Sequence, residues 1–414
     1  MNISDQLRLQ NPWWTDPNYQ PTEARLPKRE LFTQLIHDTT TLKQMISLTG
    51  MRRTGKSTLI RQIIASLLAN TPVISIMYFS FDEPTVREEK DTLEKLLTVY
   101  IQNILHKQIH EISETCYIFL DEIQLVPYWQ DILKRYYDLS QHLKFVLTGS
   151  SSLFLRTKSK ESLAGRIFEK QLPPLSYMEY QTLLSKGSFD EYLDFGGFPE
   201  LLELNDISKK REYLKYWIIG KILEIDLPNL GGVRLVAEFE RLFWSLLPNT
   251  SQIIHFPKLG AELGIKRNTL FRYLSLLQGS LLINGVANIA GSFRSTSRTL
   301  RKLYPASPNF LALSPTESTP GAQAETYVAQ TLINKFGTVN LYHKREKEVD
   351  FVLPEQKMAI EVKCQNTIHK EDYKFLMQFT KEKNYQPLLI TKYPIVESLP
   401  VPTVELSKIE EYFK

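Results

Sequence analysis

Short apolar runs separated by stretches of helical spacing fill the first 175 positions of the chain. Met45-Ile46-Ser47-Leu48-Thr49, Ile74 to Phe81, Tyr117-Ile118-Phe119-Leu120 and Lys144-Phe145-Val146-Leu147-Thr148 are such runs. Each is too short for a helix and apolar almost throughout, which suits strands buried on both faces of a parallel sheet. Thr58-Leu59-Ile60-Arg61-Gln62-Ile63-Ile64 follows the first run with its apolar residues at helical spacing. Strands alternating with helices from about Leu26 to Pro174 predict an α/β domain with crossover helices. Residues 1 to about 25 read as a polar, proline-containing arm, and the paired tryptophans of Asn11-Pro12-Trp13-Trp14 are expected to pack on that domain.

Pro173-Pro174-Leu175-Ser176 marks a boundary, after which 176–235 reads as helical, broken by Phe195-Gly196-Gly197-Phe198-Pro199. A short helix from Phe256, a glycine turn at Gly264 and a longer helix with apolar residues at 270, 273, 274 and 277 make a helix-turn-helix pattern. Strand-like runs Leu281 to Ile289 and Leu303 to Leu313, joined by Gly291 to Arg298, complete a winged helix over 236–315. Residues 316–414 form a further unit, with a helix over Ala322 to Phe336 and strands at Glu348–Leu353 and Met358–Cys364.

With 414 residues, 43% of them apolar, the chain is expected to hold two to three domains with true cores. No apolar run approaches the roughly twenty residues that span a bilayer. The N-terminus lacks the basic start and apolar stretch of a secretory signal. Cys116 and Cys364 sit in separate apolar runs and read as buried thiols, so a cytoplasmic location without membrane contact is expected. A formal charge of +4 decides little, but its distribution does. Leu263 to Thr316 contains no acidic residue, while Lys266, Arg267, Arg272, Arg294, Arg298, Arg301 and Lys302 fall inside it. A basic segment in a near-neutral chain points to a polyanion surface. Lys266, Arg267, Asn268 and Arg272 at the second helix, with Arg294 and Arg298 at the hairpin tip, are the candidate DNA contacts.

Gly50-Met51-Arg52-Arg53-Thr54-Gly55-Lys56-Ser57 lies between a strand-like run and a helix, the context in which this spacing binds phosphate. Its two glycines let successive N–H groups turn toward phosphate oxygens, and the helix N-terminus adds partial positive charge. Gly50, Arg53, Thr54, Gly55, Lys56, Ser57 and Thr58 are therefore expected to hold ATP, with Lys56 at the β- and γ-phosphates and the Ser57 hydroxyl on Mg²⁺. Asp121, ending the third run, is the second candidate metal ligand, and Glu122 is placed to act as general base on the attacking water. Ser150 or Thr148, at the end of the fourth run, would orient that water or sense the γ-phosphate; a serine N-cap is the competing reading. Arg166 is a candidate arginine finger for its own or a neighbouring subunit, against the alternative of a surface ion pair.

In the last hundred residues, Glu361 and Lys363 share one face of a strand, and Asp350 lies on the strand before it. Carboxylates and a lysine at one sheet edge can bind magnesium and polarise a water against a phosphodiester, so a nuclease-type fold is expected. A solvated Glu/Lys strand face is the bland alternative.

Taken together, the chain resembles the prokaryotic and archaeal AAA-type ATPases that carry a C-terminal domain of unknown function, number 4143. The resemblance rests on Asn11-Pro12-Trp13-Trp14, Gly50 to Ser57, Leu120-Asp121-Glu122 and Leu147-Thr148-Gly149-Ser150-Ser151. Leu163-Ala164-Gly165-Arg166, Leu172-Pro173-Pro174-Leu175-Ser176, Gly196-Gly197-Phe198-Pro199-Glu200 and Glu348-Val349-Asp350-Phe351 extend it along the chain. It implies a P-loop ATPase core over 1–175, a helical lid over 176–235 and a winged helix over 236–315. Residues 316–414 would then be a restriction-endonuclease-like domain. That last domain is similar to the PD-(D/E)xK superfamily, which includes Holliday-junction resolvases, and its motif falls on Glu325, Asp350, Glu361 and Lys363. No proline precedes Asp350, a departure from that motif. The function expected is an ATPase that needs ATP and Mg²⁺, assembles with itself, as in a ring, and remodels or translocates DNA, branched DNA included. The alternatives are an ATP-gated switch with a non-catalytic nuclease-like scaffold, and an ATP-regulated nuclease.

Overall fold

The computed structural model describes residues 2–82, 91–149, 163–184, 186–227, 236–290, 301–316, 318–395 and 398–414. The chain divides into two compact units, Met1–Leu172 and Pro173–Lys414.

In the first unit, helices α1 (Ile3–Gln10), α2 (Leu31–Thr41), α3 (Lys56–Leu68), α4 (Thr92–Val99) and α5 (Trp129–Leu139) surround five strands. These are β1 (Met45–Thr49), β2 (Ile76–Ser80), β3 (Cys116–Asp121), β4 (Leu143–Gly149) and β5 (Ile167–Gln171), ordered β2-β3-β4-β1-β5. All neighbouring pairs run parallel. A parallel sheet must bury both faces, and the two-residue alternation assigns each face its partners. Ile46, Leu48 and Phe119 pack with Leu59, Ile60, Ile63 and Ile64 of α3. Ile118 and Leu120 pack the other way, with Leu93 and Leu97 of α4 and Trp129 and Leu133 of α5.

β2 is an edge strand, and the N-terminal arm uses up its bonding groups. The Asn11 amide oxygen accepts from the Tyr78 N–H at 2.7 Å, and its Nδ2 donates to the Tyr78 carbonyl at 2.8 Å. The indoles of Trp13 and Trp14 both donate to the Ile76 carbonyl, at 3.0 and 2.9 Å. Gln10 accepts from Ser80 at 2.7 Å. Side chains thus mimic a sixth strand, and the free edge that would otherwise pair with another chain is covered.

The second unit holds α6 (Tyr177–Leu183), α7 (Phe189–Phe195), α8 (Val236–Leu246), α9 (Phe256–Leu263), α10 (Arg267–Gly279), α11 (Pro320–Phe336) and α12 (Lys370–Lys383). Its strands are β6 (Ile253–Ile254), β7 (Ile283–Asn288), β8 (Arg301–Pro305), β9 (Asn340–Lys344), β10 (Lys347–Leu353), β11 (Met358–Lys363), β12 (Gln386–Thr391) and β13 (Thr403–Glu405). They form one mixed sheet in the order β13-β12-β11-β10-β9-β7-β8-β6. The hairpin β7–β8 joins the C-terminal strands through parallel pairing of Ala287 with Asn340 and Asn288 with Leu341. Tyr177, Tyr180 and Tyr192 of the first helices pack with Tyr304, Tyr327 and Phe351 in one core. Ser176 starts α6 through a reciprocal cap with Glu179, at 3.1 and 3.0 Å. The strand expected over Leu303 to Leu313 stops at Pro305, where the Ser307 side chain caps a 3₁₀ helix over Pro308–Leu313.

Among the described residues, no helix is long and apolar enough to cross a membrane. Both cysteines are free thiols, Cys116 buried and Cys364 half-buried.

Candidate functional site

The phosphate loop leaves the carboxyl end of β1 and enters α3 at Lys56. Two glycines make its path possible. A Cβ on Gly50 would meet the Leu172 carbonyl oxygen at 2.5 Å, and Gly55, at φ +93°, holds a left-handed conformation just before the helix. Arg53 is also left-handed, at φ 65°. The Arg29 guanidinium, buried, donates to the Thr54 carbonyl at 2.6 Å and braces the loop from outside. Lys56 is buried as well, its ammonium donating to the carbonyls of Gly50 at 3.1 Å and Met51 at 2.9 Å. Its cation is therefore held inside the curl of the loop.

Asp121 and Glu122 stand at the carboxyl end of β3, two strands from β1 with β4 between them. Both oxygens of Asp121 are engaged: Oδ1 accepts from the Thr148 hydroxyl and Oδ2 from the Tyr78 phenol. Thr148 Oγ1 in turn accepts from the Glu122 N–H at 2.9 Å. This bond fixes Glu122 at φ 57°, ψ 40°, a conformation costly for a non-glycine residue and concentrated at functional sites. Burial raises the Glu122 carboxyl above its ordinary value, and the positive charge of Lys56 opposes that shift. Ser57, Asp121 and Glu122 line a cavity of roughly 480 Å³, with Arg61, Tyr78, Trp13 and Tyr19 among its other lining residues. A hydroxyl, a carboxylate and a basic carboxylate around one cavity beside a glycine loop fit a magnesium triphosphate.

A second cluster lies in the eight-stranded sheet. Antiparallel pairing of Phe351 with Ile360 sets Asp350 of β10 against Glu361 of β11. Glu325 reaches them from α11 and Lys302 from β8. The Lys302 ammonium contacts Glu325 at 3.1 Å, Glu348 at 2.5 Å and Asp350 at 3.2 Å, with the lysine side chain 3% exposed. Tyr304 donates to Glu325 at 2.9 Å, the Val362 N–H to Asp350 at 3.0 Å, and Lys363 to Glu361 at 2.8 Å. Burial and then the Asp350 charge push the carboxyl of Glu325 to about 7 and that of Glu361 to about 8. Burial works against the charge of Lys302, but Asp350, Glu325 and Glu348 outweigh it and raise its pKa.

Residues 42–181 match the family model described as an AAA domain, with the phosphate loop, Asp121 and Glu122 inside the matched span. The first unit thus carries an AAA domain with the parallel α/β fold typical of P-loop ATPases. Two domains of unknown function follow in the family matches, DUF8612 over 186–308 and DUF4143 over 320–400. The chain is 23% identical over 391 residues to an uncharacterised protein of Haemophilus influenzae, covering 89% of this chain and 94% of that one. An uncharacterised protein of Methanocaldococcus jannaschii is 27% identical over 276 residues, 62% of this chain and 58% of the relative. Among solved structures, the Walker-type ATPase of Pyrococcus abyssi aligns over 70% of this chain and 99% of its own, at 17% identity and a TM-score of 0.48.

Within the AAA domain, Arg166 does not join the nucleotide site of its own chain. It precedes β5 at the end where Ile167 pairs with Met45, whereas the loop leaves β1 at the other end, beyond Thr49. Five residues of strand separate the two, about 17 Å at ~3.3 Å per residue. There Arg166 bonds both oxygens of Asp138, at 2.9 and 3.2 Å. Thr148, one of the two candidates for orienting the lytic water or sensing the γ-phosphate, is fully buried and bonded to Asp121 and Glu122. Ser150, Arg294 and Arg298 lie outside the described residues. Sequence reasoning missed Tyr78 and Arg29, whose partners lie 43 and 25 positions away.

In the DUF8612 span, α9 and α10 meet through Gly264, in the left-handed region, with the Ile265 N–H donating to the Gly260 carbonyl at 2.8 Å. Lys266, Arg267 and Asn268 are exposed at the start of α10, and Arg272 is exposed one turn on. Lys302 leaves the basic surface altogether. It is buried with its ammonium against Glu325, Glu348 and Asp350, while Lys363 pairs with Glu361.

Proposed function

We propose that the chain is a magnesium-dependent ATP hydrolase that couples turnover to remodelling of bound DNA. The observation that carries the hydrolytic part is the Thr148 hydroxyl, which ties Asp121 and the backbone of Glu122 together in the cavity that also contains Ser57. Bound ATP and Mg²⁺ would supply the phosphoanhydride and a cation to spread its charge. The backbone from Gly50 to Thr58 would cradle the phosphates, and Lys56 would turn from the loop carbonyls to the β- and γ-oxygens. Ser57 and Asp121 would hold the metal. Glu122, its basicity raised by burial, would take a proton from the attacking water.

For DNA, the support is the exposed Lys266, Arg267 and Asn268 at the first turn of the second helix of a helix-turn-helix, the position that reads a groove or a phosphate. Binding measured from low to moderate salt should show the steep dependence that counterion release produces, reduced in Lys266→Glu with Arg267→Glu. Affinity equal to the wild type at every salt concentration would remove the DNA part and leave the ATPase part intact. Self-association belongs to the same reading. Since Arg166 lies at the far end of its own sheet, a finger at this position needs a second copy, which sedimentation with and without ATP tests.

A switch that binds a protein partner is the second reading. Its support is Tyr216 and Trp217, 54% and 50% exposed side by side, aromatic types enriched at protein interfaces.

A further inference from the structure

The PD-(D/E)xK resemblance implies a divalent cation held by Asp350 and Glu361, and the side chains do not fit one. We propose instead that Lys302 is the resident cation of this cluster, standing in place of the metal and making the C-terminal sheet a scaffold that does not cut DNA. The inference goes beyond the ATPase reading and does not depend on it.

Three carboxylates from two elements, Glu325 of α11 and Glu348 and Asp350 of β10, converge on one ammonium at 2.5 to 3.2 Å. An ammonium carries three donors, and here each has its own acceptor. Magnesium needs about six oxygens near 2.1 Å and retains water among them. The Lys302 Nζ already neutralises Asp350 from the Glu325 and Glu348 side, and its side chain is 3% exposed. Asp350 Oδ2 accepts from the Val362 N–H and Glu361 Oε1 from Lys363, which leaves Glu361 Oε2 as a buried oxygen without a partner among the described residues, one ligand against the roughly six that magnesium takes. Among the described residues, no group of three or more His, Cys, Asp or Glu is arranged to hold a metal ion.

Lys302 is fixed from both sides of its strand. It pairs with Val286 of β7 and Ile253 of β6, so its backbone is anchored in the sheet interior. Swinging the ammonium away would strand the buried acids without a counter-charge, an arrangement far costlier than the paired one. The lysine comes from the hairpin that extends the sheet beyond β9, so the charge contact also fastens that hairpin to α11 and β10.

The test uses the full chain without nucleotide and MnCl₂ as the probe. Calorimetric titration of wild type and Asp350→Asn should give the same isotherm, and neither should cut linear or four-way DNA with Mg²⁺ or Mn²⁺. A Mn²⁺ site present in the wild type and lost in Asp350→Asn, or cutting lost in that variant, overturns the proposal. Lys302→Gln supplies the reverse arm. It should lower the thermal midpoint and gain a Mn²⁺ site whose occupation restores stability. A folded Lys302→Gln with the wild-type midpoint and no response to Mn²⁺ also overturns it. If Lys302→Gln does not fold, the wild-type and Asp350→Asn comparison decides alone.

Discussion

The phenol of Tyr78 donates a 2.9 Å hydrogen bond to Oδ2 of Asp121, from an adjacent strand and wholly inside the protein. Burial, then the neighbouring Asp121 charge, raises the Tyr78 pKa, so the phenol stays a donor at every physiological pH. Its ring also lies under the Arg61 guanidinium, 5.2 Å away. Tyr78 therefore orients the carboxylate that would meet magnesium.

Tyr78→Phe should raise the Mg²⁺ concentration for half-maximal ATPase activity by roughly tenfold, the scale of one hydrogen bond to a charged group. The maximal rate at saturating Mg²⁺ should change much less. A Mg²⁺ titration settles it, and an unchanged midpoint would deny Tyr78 this positioning role.

Glu122→Gln keeps the shape of the side chain and removes the base. ATP affinity, read by calorimetry, should be preserved while turnover drops about 100-fold. Turnover within a few-fold of wild type would place the base elsewhere.

The acid cluster of the second unit makes a pH-dependent contribution whose sign follows from its raised carboxyl groups. From the ordinary value of 4.5 up to about 7 for Glu325 and about 8 for Glu361, the folded state binds protons that the unfolded state has lost. Stability therefore falls as pH rises through that window. Glu361→Gln should match wild type most closely near pH 5 and gain on it steadily toward pH 8 in urea unfolding. A difference that stays flat with pH would contradict the shift.

Asn11→Ala removes the pair of bonds that satisfy the Tyr78 backbone. Leaving those groups unmet should cost roughly 2 kcal/mol, which lowers the thermal midpoint of a domain this size by about 4–8 °C. Calorimetry on the full chain reads this directly, and an unchanged first transition would mean water replaces the amide at no cost.

Local pattern carried much of this molecule into view. Gly50 to Ser57, the apolar run ending at Asp121 and the turn at Gly264 announce themselves because each needs only neighbours within one or two elements. Position within a sheet is different. Nothing near Arg166 says that it sits at the amino end of β5, away from the phosphates; strand register decides that. Lys302 reads as one more member of an acid-free segment, because its acidic partners lie 23 to 48 positions downstream. The parallel pairing of β7 with β9 that brings them together involves two residue pairs and leaves no periodic trace. Tyr78 looks like any apolar strand residue until its hydroxyl is seen to face an aspartate.

The bonding of Asn11, Trp13 and Trp14 to the outermost strand of the AAA domain has a further consequence. A chain lacking its first fifteen residues would present an open lateral ladder, ready to accrete a copy of itself by strand addition. Growth in that direction is closed while the arm is in place, and the self-association proposed above would have to run through other faces. Clipping the arm would then favour clumping over orderly association.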